Sequence, residues 1–333
     1  MSPSDRALIR ADQLFVMDAE DRGNRQTSRA DKRYQSDAQR TADLIFAVMT
    51  GSIPKGLEHE IILLKREEDT LALHEMFSTD KSEPSSLVLQ RISKARKEAR
   101  NIAAYTCISE YLFAEPRIDR HFEYRNVIAD RQRNCRLVDV GCCMGTDMRK
   151  LIQDGFPAQN VTGIDCQPKF FDIGLELYNH TQKDLKVHLI GADVLASDFF
   201  DRHQGLKGTF DIVHSANVIH LFDRKQQIRF LSALAFLVKP GGLVWGRQVG
   251  EDENSPTWGK KIAGKGERFT PAEFRTMWIE ATGWSLASWD YCSRLVIYDE
   301  LRLIPDYKRL SLEWSVRAGP EWCNARSAIE EVT

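Results

Sequence analysis

The sequence predicts an α/β fold: a doubly wound, seven-stranded, mostly parallel sheet with a helical N-terminal extension. Three observations predict it. From Arg136 onward, short apolar runs alternate with helical patterns, as in a parallel sheet covered on both faces. Upstream of Arg136, apolar residues recur at three- and four-residue spacing, which is helical. Between these regions, the run LVDV ends in a turn, Asp139-Val140-Gly141-Cys142-Cys143-Met144-Gly145, placed where a strand hands over to a helix.

The elements follow in order. Residues 1–55 are rich in Arg, Asp, Ser and Gln and form a polar extension, mobile or docked as one helix. Residues 58–76 carry a helical period, which Pro84 interrupts. Leu87–Tyr111 reads as the next helix, with Ile92, Ala95, Ala99 and Ile102 on one side. Its basic run RISKARKEAR is expected to be a solvated face rather than a binding patch. The first strand is 137–140, followed by a helix from Thr146 to Asp154 with Gly155 as its C-cap. Strands are expected at 160–166, 186–194, 210–216 and 243–249, the last preceded by a helix from Gln226 to Val238 and a KPGG turn. Pro168 suits the first turn of the helix after the second strand. Thr270, Pro271 and Glu273 form a capping box that opens a helix to Thr282. Residues 284–290 and 310–316 are the last strand candidates. The divisions are 1–55, a helical lid and substrate region at 56–135, the sheet domain at 136–317, and a tail at 318–333.

Bulk properties exclude several classes. The 333 residues carry a net charge of −2, which gives no pull toward nucleic acid or membrane. No stretch reaches the ~18 consecutive apolar residues of a membrane span, and the N-terminus lacks a signal peptide's apolar core. Seven cysteines, an odd number without a C-x-x-C pair, argue against a disulfide framework or a metal site. The expectation is a reduced, cytoplasmic protein, with homodimer formation left open.

In such a sheet, ligands bind at the carboxyl ends of the strands. Gly141 allows the sharp turn, and Gly145 allows close packing or ligand contact. A dinucleotide turn needs a middle glycine, but Cys143 stands there. Asp139 is unfavourable beside a diphosphate and favourable beside an ammonium group. Asp165, about 26 residues further on, suits a ribose diol. Asp193 suits an exocyclic amine, with Val194 packing on the ring. The segment after the fourth strand, Ser215 to Phe222, lines the reaction face. Bland alternatives stand beside these: a tight turn for the glycines, an N-cap for Asp165, a turn cap for Asp193, packing for the histidines.

An amino-acid end, a ribose and an adenine together describe S-adenosyl-L-methionine. Asp-x-Gly-x-x-x-Gly, Asp165, Ala-Asp-Val and FDIVHSANVIHLF resemble a class I S-adenosylmethionine-dependent methyltransferase, with its Rossmann-like fold, over roughly 136–317. DVGCCMGTDMRKLIQDG, SANVIHLFD and GRQVG resemble more narrowly the fungal methyltransferases of meroterpenoid and related secondary-metabolite pathways. YTCISEYLFAEPRIDRH resembles the segment that lids the cofactor there. The resemblance implies cofactor contacts from Asp139, Gly141, Cys142, Gly145, Asp165, Cys166, Asp193, Val194 and Asn217. His220, His214 and Gln248 are the catalytic candidates; Tyr105, His121, Arg247 and Trp258 are the acceptor candidates, with Phe113 and Phe269 beside them. Cys142 and Cys143 are expected to pack rather than react. SANV lacks the Pro-Pro-aromatic signature of enzymes that methylate nucleic-acid amines, which favours a small-molecule acceptor; the first expectation is O-methylation of a carboxyl or hydroxyl of a secondary metabolite. An amine acceptor, a cofactor-binding regulator without turnover, and a nicotinamide-dependent dehydrogenase are the alternatives.

Overall fold

The computed structural model describes residues 83, 85–109, 111–130, 134–252, 268–283, 289–298 and 309–319. The expected polar extension, the helix at 58–76, Trp258 and the C-terminal tail beyond 319 lie outside the described residues.

Seven strands form one sheet: β1 Leu137–Val140, β2 Val161–Asp165, β3 His188–Gly191, β4 Phe210–Ala216, β5 Val238–Val249, β6 Trp289–Tyr298 and β7 Arg309–Ala318. Their order is β3-β2-β1-β4-β5-β7-β6; β7 runs antiparallel to both β5 and β6, and the other pairs are parallel. The chain winds outward from β1 to β3, then returns to place β4 on the other side of β1. That reversal leaves a crevice between the carboxyl ends of β1 and β4.

Side chains alternate between the two faces of these buried strands. Val138, Val140, Ile164, Val213 and Val244 join the core under α8 (Arg224–Leu237) and α9 (Pro271–Thr282). Leu137, Val161, Ile212, Leu243 and Trp245 join the core on the opposite face, with Met148 and Leu151 of α4 (Thr146–Gln153) and Val127 of α3 (Tyr124–Asp130). A third cluster joins α1 (Ser85–Ile102) to α5 (Lys169–Leu177) through Val88, Ile92, Ala95, Ala99, Phe170, Ile173 and Leu177. The spacing of the four α1 residues is the apolar stripe of a helix lying on the domain.

The basic run on α1 divides between two roles. Lys94, Lys97 and Arg100 are exposed, as expected. Arg91 instead donates to the Leu177 carbonyl at 3.0 Å, and Arg96 donates to the Ser109 carbonyl and covers the Tyr111 ring. Their stems are part of the packing.

Three boundaries differ from expectation. The helix expected to reach Tyr111 ends at Ile102; after a break comes one turn, α2 (Thr106–Ser109), and Tyr111 is left-handed with φ 58°. Tertiary context overrides helical propensity here, because residues 105–107 must turn over the crevice. KPGG is not a free turn: Val238 pairs with Phe210, and β5 then bulges through Gly241 before pairing resumes at Leu243. The sixth strand, Trp289–Tyr298, shares only Trp289 and Asp290 with the expected 284–290 and runs on to Tyr298; residues 284–288 lie outside the described residues. As a sheet edge with much of one face exposed, it lacks the continuous apolar run of the inner strands.

Close packing against the glycine turn is visible at Gly174 of α5. A Cβ there would stand 2.3 Å from the Met144 carbonyl oxygen. Gly174→Ala is expected to cost about 2–3 kcal/mol of stability, measured by urea unfolding. A cost within ~0.5 kcal/mol of wild type would show that α5 is free to shift.

Candidate functional site

A cavity of about 380 Å³ opens at the carboxyl ends of β1 to β4. Its size falls in the range of small-molecule sites. One wall is the strand-end turns; the facing wall comes from residues 105–117, through Tyr105, Thr106, Cys107, Leu112, Phe113 and Glu115.

The turn after β1 is set by backbone bonds. The amides of Gly141 and Cys142 donate to the Ile164 carbonyl at 2.7 and 3.3 Å, and the Gly145 amide donates to the Cys142 carbonyl at 2.8 Å. Gly141 and Gly145 have φ of 79° and 78°. A Cβ on Gly141 would meet Val218 at 2.4 Å, so bare backbone is required where β1 and β4 converge. Cys143 is also left-handed, with φ 51°, a conformation that favours glycine and is costly for a side chain. Its amide donates to Asp165 Oδ2 at 2.9 Å, while the Gln167 amide donates to Asp165 Oδ1 at 2.9 Å.

Asp139 and Asp165 are both buried and line the cavity. Burial raises both carboxyls above the usual carboxylate range. For Asp139, His214 opposes the rise; for Asp165, the amides of Gln167 and Cys143 oppose it. Asp193 lies at the exposed rim, its Oδ1 accepting from the Leu195 amide at 2.9 Å, so the turn-cap role expected as a bland alternative is present too. The turn from Gly141 to Gly145 carries no basic residue. Three carboxylates on three successive strand ends, with bare backbone between them, fit a ligand with an ammonium group and hydroxyls better than a diphosphate.

The other nominated residues divide. Gly141, Cys142, Cys166, Val194, Asn217, His220, Tyr105 and Phe113 all line the cavity. Gly145 is not among the lining residues; it is the N-cap of α4. The Cys142 amide is engaged with Ile164, so that N–H does not point to the cavity. His214 lies behind the wall, its Nδ1 2.8 Å from Asp139 Oδ1. Gln248 is 0% exposed and, with Arg247, lines a separate pocket of about 10 Å³ against Ser215, Val218 and Trp314. His121, from the segment before α3, is buried against β5: its Nε2 donates to the Gly246 carbonyl at 2.9 Å and its Nδ1 accepts from the Glu123 amide. That pairing fixes a neutral ring, and burial depresses its pKa to about 2. Phe269 packs in the core against Phe274. Among the described residues, then, His214, Gln248, Arg247, His121 and Phe269 do not line the main cavity.

Residues that motif spacing did not nominate are Glu115, Arg117, Thr146 and Asp147. Asp147 Oδ1 accepts from the amides of Arg117 and Ile118 at 2.9 and 3.2 Å, tying the facing wall to α4. Glu115 pairs with Arg120 at 2.5 Å. The signal that could have found Glu115 and Arg117 is the polar residues inside the lid-like segment TCISEYLFAEPR; for Thr146 and Asp147 it is their place directly after Gly145, at the start of α4.

Comparison with known proteins agrees with this geometry. A model of the methyltransferase domain matches residues 137–242, which run from β1 into the β5 bulge. The chain is 35% identical over 171 residues to O-methyltransferase atr3 of Stereocaulon alpinum, covering 50% of this chain and 49% of that one. The match thus spans about half the length of atr3. It is 33% identical over 205 residues to methyltransferase adrK of Penicillium roqueforti, covering 61% and 72%. It is 26% identical over 218 residues to O-methyltransferase phiE of a fungal species, covering 63% and 71%. The chain belongs to the class I S-adenosylmethionine-dependent methyltransferases. Within that class it is similar to the fungal enzymes.

The adjacent cysteines can be tested directly. Cys142 is buried, and Cys143, partly exposed to the cavity, sits deep in the molecule; burial pushes both thiols well above their usual range. In folded protein at pH 8, iodoacetamide is expected to label exposed Cys292 and to leave Cys142 and Cys143 unmodified by peptide mass spectrometry. Rapid labelling of either would assign the pair a thiol chemistry.

Proposed function

We propose that this chain transfers a methyl group from S-adenosyl-L-methionine to an oxygen of a small-molecule acceptor. One observation carries the proposal: Asp139, Asp165 and Asp193 stand in order on three strand ends around one cavity. We assign the amino-acid end to the β1 turn, the ribose to Asp165, and the base to Asp193 and Val194. The cofactor supplies a methyl group on an electron-poor sulfonium. The protein's part is to bind, align and exclude water.

Val218, Leu221, Phe222 and Phe230 give the far side of the cavity an apolar lining. Methyl transfer to an anionic oxygen neutralises charge, and a dry wall favours that step. A carboxylate acceptor needs no proton acceptor, whereas a hydroxyl does. His220, half-buried on the cavity wall, is placed to take such a proton. Residues 56–135 act in this proposal as lid and acceptor region, and 136–317 as the cofactor domain. The names of atr3 and phiE support oxygen as the acceptor atom. A second possibility, an amine acceptor, is favoured by Glu115 on the facing wall, paired with Arg120, and Asp147 on α4, because carboxylates attract an ammonium group. We place the reaction in the cytoplasm with a small-molecule partner and no nucleic acid. Among the described residues, no helix is long and apolar enough to cross a membrane.

Calorimetry should detect micromolar binding of S-adenosylmethionine, and Asp165→Ala should weaken it about tenfold or more, as loss of hydrogen bonds to a charged acceptor does. Methyl-labelled cofactor and extracted metabolites should yield a labelled ester or ether by mass spectrometry. A labelled amine would establish the second possibility. No binding by the wild type would overturn the whole assignment.

A further inference from the structure

His214 was nominated from the sequence as a proton acceptor, yet it lies behind the cavity wall. Its surroundings give it another task. Asp139, His214 and Trp245 are register partners across β1, β4 and β5, so the three side chains share one face of the sheet. His214 Nδ1 lies 2.8 Å from Asp139 Oδ1, and both side chains are at most 5% exposed. The His214 ring packs on Trp245 at 4.7 Å, and the His121 ring meets the same indole edge-on at 4.8 Å. His214 is thereby held between an indole and a carboxylate. An ionised carboxylate can only accept, so in this pairing Nδ1 carries the proton.

We propose that His214 is a positioning residue, which by donating to Asp139 Oδ1 fixes that carboxylate for the amino-acid end of S-adenosylmethionine. The proposal rests on the cofactor assignment above. Its basis is geometric: one oxygen of Asp139 is tied to a buried ring packed on Trp245, and the same residue lines the cavity. The other groups around the pair do not replace His214. On the β2 side the row is Gly163, where the Cys142 sulfur would lie 2.8 Å from an added Cβ, and burial keeps that thiol neutral. His121, from the segment before α3, is neutral. Asp147 of α4 and Asp165 of β2 are carboxylates, whose repulsion works against ionisation of Asp139. His214 is the neighbour that favours the charged form.

The sign of the pH effect follows. Burial raises the Asp139 carboxyl, and His214 lowers it. Removing His214 lets it rise further, so Asp139 becomes protonated at a higher pH. Affinity for an ammonium-bearing ligand should then be lost at a higher pH as the solution is acidified.

The test compares two ligands by calorimetry between pH 5 and 7, below the ~8 at which an α-amino group loses its proton. S-adenosylmethionine carries the amino-acid end; S-methyl-5′-thioadenosine has the nucleoside and sulfur without it. His214→Phe is expected to weaken S-adenosylmethionine about tenfold at pH 7, to move its acid limb to higher pH, and to leave methylthioadenosine unchanged. His214→Asn, which keeps a donor, should recover most of that affinity. Equal weakening of both ligands, or an unmoved acid limb, would show a purely structural role and overturn the proposal. If His214→Phe does not fold, Asp139→Asn supplies the measurement: the acid limb should flatten, and an unchanged limb would refute the assignment of Asp139. Wild-type binding of methylthioadenosine with equal affinity for S-adenosylmethionine at every pH would overturn this proposal while leaving the nucleoside site standing. Absence of binding for both ligands would remove the cofactor assignment itself.

Discussion

Arg149 is the charge around which the glycine turn after β1 and its neighbours are assembled. Its guanidinium is buried, and it donates to the carbonyls of Met144 and Gly145 at 2.8 and 3.1 Å and of Gly174 at 3.2 Å. It also lies 3.9 Å from the centroid of the Tyr178 ring. Burial lowers its pKa only to about 10, so it stays charged at neutral pH. The Gly145 and Gly174 carbonyls also accept the Arg149 and Tyr178 amides, so the guanidinium adds a second bond to each and ties the glycine turn to the helix behind it. Leaving a buried carbonyl unpaired costs about 1–3 kcal/mol, so the bond to the Met144 carbonyl adds to the packing of Cys142 and Met144 in holding the turn. The network continues outward: Tyr178 donates to Thr146 Oγ1, which donates to the Phe113 carbonyl in the facing wall. Turn, helix and cover are therefore one hydrogen-bonded unit.

The sheet supplies what that unit closes over. Parallel strands bring their carboxyl ends to one edge, and the reversal of winding beside β1 separates the following loops. The three carboxylates need no loop flexibility to converge, because adjacent strands already hold them side by side. The apolar residues after β4 meet them from the far side. An acidic half and an apolar half of one cavity are what a cationic cofactor and a water-excluding transfer step each require.

Most of the sheet was legible in the sequence because inner parallel strands are apolar on both faces: LVDV, FDIVHSA and LVWGRQV declare themselves. The helix from Pro271 was legible to the residue because its start is chemically marked, Thr270 and Glu273 bonding reciprocally to each other's backbone amides. The edge strand β6 was not, since half its residues face solvent. Nor was the end of α1, where the sequence remains helical but the cavity demands a turn at Tyr105. That Asp139, Asp165, Asp193 and Gly141 line one cavity was legible because each strand end calls for a particular residue type, whereas Gly145 lies outside it as the N-cap of α4. The histidines and β5 polar residues were not resolved by position alone. His220 and His214 lie six residues apart around one strand end, yet one lines the cavity and the other faces the opposite core. Strand alternation settles that for His214 once the register with Asp139 is known, and register comes from pairing, which a single sequence does not display.

The bonds made by Asp165 carry a further consequence. Its two oxygens hold the amides of Cys143, in the first turn, and Gln167, in the second. The shape of the loop after β1 is thus written in part at the end of β2, in an acid 22 residues downstream of the cysteine it restrains. Substitutions in the two loops share a partner and are not energetically independent. A glycine at 143 would relieve the left-handed strain, but it would also leave the amide freer to depart from the acid. Through that shared acid, the tolerance of either turn to change depends on what already stands at the other.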